Sequence, residues 1–200
     1  KQYRGISLIE LVVSMVLMSV VILGFSSLDI LSRRQVVSAD RRIKVQNELV
    51  YAIEHMSKIV QKSTGCQITP PAFQPIQAIA NGFRVRVDLN ATQTPDIFTD
   101  DGYIDYTLAS TTLTATCTPS GGTCPFTSPE DLSARIITGY AASTIMPETP
   151  DSGFYVNITH QGTTVDIGLV GRYKPLIAAS VDNPQVSMKT RLVSPSSSAQ

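Results

Sequence analysis

The stretch Gly5-Ile6-Ser7-Leu8-Ile9-Glu10, followed by the apolar run Leu11 to Leu28, decides how the rest of the chain is read. A short basic leader with Lys1 and Arg4 ends in Gly5, and a lone carboxylate, Glu10, stands at the edge of the apolar run. That run is 18 residues long. As a helix it spans about 27 Å, close to the ~30 Å thickness of bilayer hydrocarbon. A carboxylate near mid-membrane costs about 2.5–3.5 kcal/mol on insertion scales, so Glu10 calls for a partner. The plainer alternative is a signal anchor whose Glu10 reaches the headgroups. No small-x-small cleavage site follows the apolar run, so the segment does not read as a removed secretory signal. Ser14, Ser19, Ser26 and Ser27 dilute the run, and small polar residues suit helix-on-helix packing.

Beyond the anchor, the chain holds no Pro before Pro70, and Gly24 is the only Gly from residue 6 to 64. Leu49, Ile53, Met56 and Val60 recur at four- and three-residue steps, extended backward by Ile43 and Gln46. One helix from about Ser7 to Thr64 is expected, greasy all round in its first half and amphipathic in its second. Gly65 is its C-cap, and Thr69-Pro70-Pro71 prevents continuation. A coiled-coil stalk is the alternative, but the stripe is short for one.

After Pro71 the period becomes two. Phe83, Val85, Val87 and Leu89 alternate with Arg84, Arg86 and Asp88. Tyr103–Leu108 and Thr111–Cys117 read as a hairpin around Ala109-Ser110; 134–140, 154–160, 164–173 and 186–193 follow, with Gln161-Gly162 as a tight turn. The expected fold class is α+β: one long helix whose stripe covers a face of a sheet of six or seven antiparallel strands. The expected divisions are 1–5 leader, 6–30 membrane-spanning helix, 31–64 amphipathic stalk, 65–193 β head and 194–200 disordered tail.

The pattern at residues 4–28 resembles the prepilin signal of type IV pilins and of the pseudopilins of type II secretion. The resemblance implies a pilin-like fold. It also implies cleavage by prepilin peptidase after Gly5, methylation of the new N-terminus at Ile6, and Glu10 as the fifth mature residue that governs assembly. The family most often begins its mature chain with Phe-Thr, and Ile6-Ser7 departs from that conservatively. In the filament Glu10 is implied to face the Ile6 amine of a neighbour, setting axial register. Implied partners are other pilin or pseudopilin subunits, the peptidase and an inner-membrane assembly platform. Major pilins usually carry a Pro soon after the anchor. Its absence here, the long head and the late strand look more like a PilW-type minor pilin or a J-type pseudopilin. The rivals are a filament-tip adhesin, a DNA-uptake module and a membrane-anchored domain unrelated to pilins.

Charge and cysteines bear on compartment. Residues 1–63 hold nine basic and five acidic side chains; residues 64–200 hold seven and eleven, so the zero net charge splits into +4 and −4. An acidic head argues against nucleic acid. Arg33, Arg34, Arg41, Arg42 and Lys44 follow the anchor, and the positive-inside rule alone would put the head in the cytoplasm. The family orientation is the reverse, and the family orientation is adopted. Those arginines read as partners for neighbouring subunits or headgroups, or as a solvated stalk face. Cys117 and Cys124 flank a turn-rich loop and form the expected disulfide, with Cys66 spare; bridges from Cys66 to either remain the alternatives.

No catalytic signature appears, and no enzyme, cofactor or metal is expected. The three Cys lack paired spacing and a nearby His. Asp88, Asn90, Asp96, Asp100 and Asp101 read as a solvated acidic loop rather than a calcium site. His55 and His160 read as surface residues.

Overall fold

The computed structural model describes residues 7–65, 74–89, 101–143, 147 and 150–195. Helix α1 runs Leu8–Val60. Among the described residues nine strands follow: β1 Ile76–Ile79, β2 Gly82–Val87, β3 Gly102–Ala109, β4 Thr112–Thr118, β5 Glu130–Ser133, β6 Tyr140–Ala141, β7 Phe154–Thr159, β8 Thr164–Arg172 and β9 Gln185–Val193. The chain divides into two units, Lys1–Asp40 and Arg41–Gln200.

In the first unit the helix begins with Ser7 as N-cap, whose carbonyl accepts from the N–H groups of Glu10 and Leu11. No residue of the apolar run is buried. Its serine hydroxyls are satisfied within the helix: Ser14 donates to the Leu11 carbonyl, Ser19 to Val16, Ser26 to Ile22 and Ser27 to Leu23, at 2.7–2.9 Å. They therefore need neither water nor a neighbouring helix, which makes the segment more lipid-compatible than its composition implies.

The second unit is the α+β head, with the helix packed on antiparallel sheet. The strands form two sheets rather than one, β1-β2-β3-β4-β5 and β6-β7-β8-β9, and β6 pairs with β7 in parallel. Helix residues Val45, Leu49, Ala52, Met56, Ile59 and Val60 are buried in a core shared with both sheets. The buried stripe thus extends back to Val45; Ile43 and Gln46 are exposed. Phe83 stacks on Tyr106 at 5.0 Å and lies 6.2 Å from Phe154, so aromatic rings join the two sheets. Gly171 on β8 lets the helix come close: a Cβ there would lie 2.9 Å from Val45 Cγ1.

The stretch 134–140, expected as one strand, is the crossover between sheets over 134–139, and only Tyr140 is strand, opening β6. Ile136 N–H donates to the Thr111 carbonyl and Ile137 N–H to the Val170 carbonyl. Ile136 enters the main core, whereas Ile137 joins Tyr155 and Val170 in a second cluster. Its alternation is real, but its backbone bonds go to two different sheets. The folded head also runs past the expected tail boundary. Ser194 is fully buried, its N–H donates to the Thr163 carbonyl, and its hydroxyl lies 2.7 Å from that of Ser63.

Candidate functional site

The start of α1 is the first candidate. With Ser7 as N-cap, Glu10 falls at the third helical position, and its carboxylate accepts the Ser7 N–H at 3.3 Å. This is half of a capping box, satisfying a donor that no helical carbonyl reaches. A carboxylate in the first turn also faces the positive end of the helix dipole. Gly5 and Ile6 lie outside the described residues. Glu10 is solvent-exposed. So is the apolar side-chain surface that follows: Leu17, Met18, Leu23, Phe25 and Leu28 are each more than three-fifths exposed. At the end of the run, Arg33 pairs with Asp29 across one helical turn at 2.9 Å.

Among the described residues no His, Cys, Asp and Glu side chains gather in a group able to hold a metal. Asp101, expected in a solvated acidic loop, is instead 3% exposed and faces the buried Arg86. Asn90, Asp96 and Asp100 lie outside the described residues, as does Cys66. Cys117 and Cys124 are joined by a disulfide with Cα atoms 6.0 Å apart.

His55 is not a surface residue. Its side chain is 13% exposed and sits where α1 meets β3, β5 and the loop after the disulfide. Nδ1 lies 3.0 Å from the Tyr106 hydroxyl, Nε2 3.7 Å from Glu130, and the ring packs edge-on against Phe126 at 4.9 Å. Burial lowers the His55 pKa, Glu130 partly opposes this, and Lys58 adds to the lowering. Tyr51, one turn earlier, donates to Glu130, and that bond raises the tyrosine's pKa. The Tyr106 hydroxyl is enclosed, and burial pushes its pKa well up. The network braces the helix against the sheet. The spacing of His55, three residues after Ala52 and four before Ile59, which borders the buried face, was the sequence signal for it. His160 is exposed, as expected.

Arg41 is likewise engaged with the head, its guanidinium donating to the Asp182 carbonyl and lying over the Tyr173 ring at 5.2 Å. A groove of about 410 Å³ lies over Gly168 on β8, flanked by Tyr155 and Lys189 and ended by the Asp166–Arg191 ion pair. The two charges at that end neutralise one another.

Residues 1–26 match the prokaryotic N-terminal methylation motif. No curated protein and no solved structure matches the chain. The motif and the long apolar helix behind it are consistent with the type IV pilin family and with anchoring in a membrane. The matched residues hold the basic leader, Gly5, Glu10 and most of the apolar run.

Proposed function

We propose that the chain is a structural subunit of a type IV pilus or a type II secretion pseudopilus, a minor pilin or pseudopilin and not an enzyme. The observation that carries this reading is the methylation motif leading into an apolar helix with no buried side chain, continuous with the helix that braces a folded head. Such a surface requires lipid before assembly and other helices after it. Prepilin peptidase cuts between Gly5 and Ile6, removing Lys1 and Arg4 and freeing the Ile6 amine. In the filament Glu10 faces the Ile6 amine of a neighbour. Each buried charge is costly without the other, so the pair sets register rather than adding bulk stability. The head faces away from the cytoplasm, a placement supported by the Cys117–Cys124 disulfide, which persists in oxidising compartments.

The test is the intact mass and N-terminal sequence of the protein from native membranes, beside filament formation by Glu10→Ala. A chain beginning with N-methyl-Ile6, and a Glu10→Ala variant that folds but does not assemble, are expected. A mature chain that keeps Lys1–Gly5 would remove the reading.

A further inference from the structure

The segment linking β8 to β9, residues 173–184, is ordered yet presents apolar side chains to solvent. Leu176 is 77% exposed and Val181 78%, with Ile177 about half exposed between them. The segment is pinned from within by Asn183, which is buried. Its amide oxygen accepts the Lys174 N–H at 2.7 Å, and its amide nitrogen donates to the carbonyls of Lys174, Ile177 and Ala178 at 3.0–3.1 Å. Arg172 donates to the Ile177 carbonyl and Arg135 to the Tyr173 carbonyl. A loop held this way keeps its apolar tip exposed, and a contiguous exposed apolar patch marks an interaction site.

Two observations name the cover. Arg41, the first residue of the head unit, donates to the Asp182 carbonyl, so the loop packs beside the residue at which the chain enters the head unit. Cations outnumber carboxylates there: Arg41, Arg42 and Lys44 on the helix and Arg172 and Lys174 at the loop base, against Asp40 and Glu48 on the helix and Asp182 within the loop. We infer that loop 173–184 docks on the anionic phospholipid surface of the membrane that holds the anchor, with Leu176, Ile177 and Val181 at the headgroup–acyl boundary. Apolar tips and flanking cations are the combination such surfaces bind. The inference rests on the anchor reading. It adds a second, reversible membrane contact that holds the head down before assembly and is released when the subunit is drawn out.

The chain contains no Trp, so an introduced one reports on its own surroundings. The full chain is reconstituted at high lipid-to-protein ratio in phosphatidylethanolamine–phosphatidylglycerol vesicles with brominated acyl chains. Leu17→Trp reports on the anchor, and Leu176→Trp and Val181→Trp report on the loop. We expect blue-shifted emission at all three sites, strong bromine quenching at position 17 and weaker quenching at 176 and 181. Quenching at the loop sites should fall when phosphatidylcholine replaces phosphatidylglycerol. Quenching at 17 with water-like emission at 176 and 181 overturns the loop inference alone. Blue-shifted but unquenched loop emission does the same, because protein then covers the tip. An unquenched Leu17→Trp overturns the anchor reading, and the loop inference with it.

Discussion

Replacing Asp101 with Asn should unfold the head at markedly lower denaturant while leaving the anchor helix untouched. Arg86 and Asp101 side chains are 2% and 1% exposed, with Nη1 3.6 Å from Oδ2. The Thr64 hydroxyl donates to the same carboxylate oxygen at 2.9 Å, and Arg86 Nη2 donates to the Tyr103 hydroxyl at 2.7 Å. Thr64 N–H also donates to the Arg86 carbonyl, so the cluster ties the chain leaving α1 to β2 and the start of β3. At an effective dielectric of about 20, unit charges 3.6 Å apart attract by roughly 4–5 kcal/mol. Breaking a buried pair from one side costs about 3–5 kcal/mol, because the remaining charge stays desolvated. Against a total of about 5–15 kcal/mol, that is a large share of the head's stability. Arg86→Met should cost a similar amount. The double variant Arg86→Met/Asp101→Leu should cost only about 1–3 kcal/mol, the residue of unsatisfied Thr64 and Tyr103 hydroxyls, rather than the sum of about 6–10. The assay is urea unfolding of the full chain in detergent, followed by near-ultraviolet circular dichroism of the tyrosines. A loss under about 1 kcal/mol for Asp101→Asn, or additive single losses in the double variant, would refute the argument.

Acid should weaken the head through His55. Its folded pKa lies below the unfolded value because burial disfavours the cation, so the unfolded chain binds the extra proton first. Stability is therefore full above the unfolded pKa of about 6.5 and falls as pH drops through the folded value. The melting temperature should fall between pH 7 and pH 5 in the native chain, and by less in His55→Gln. Opening the disulfide, by reductant or by Cys117→Ser with Cys124→Ser, should cost about 2–3 kcal/mol from the eight-residue loop it closes. Urea midpoints with and without reductant measure this, and an unchanged midpoint would mean the loop is held by its other contacts.

What could be read in advance follows from how many neighbours a residue must satisfy. The anchor depends only on itself and the bilayer, so its apolar run and Glu10 were plain in the sequence. The α1 stripe and the edges of β2, β3, β4, β8 and β9 faced one core and kept one period. The failures lie where two surfaces compete for the same short segment. The stretch Ile76–Ile79 is four residues beside Pro75, too short to show alternation, yet Ile76 is fully buried. Strand β5, Glu-Asp-Leu-Ser, carries two carboxylates, and its reason for being a strand is the β4 edge it completes. Ile136 and Ile137 serve different clusters and donate to different sheets, so a strand pattern there conceals the step that splits one sheet into two. Arg86 is the sharpest case. In a period-two strand a cation between Val85 and Val87 belongs on the solvent face, and only the return of the chain at Thr64 and Asp101 makes that face an interior. The motif could be read locally because it is addressed to other molecules. The head's polar interior could not, because each of its charges is explained by a residue at least fifteen positions away.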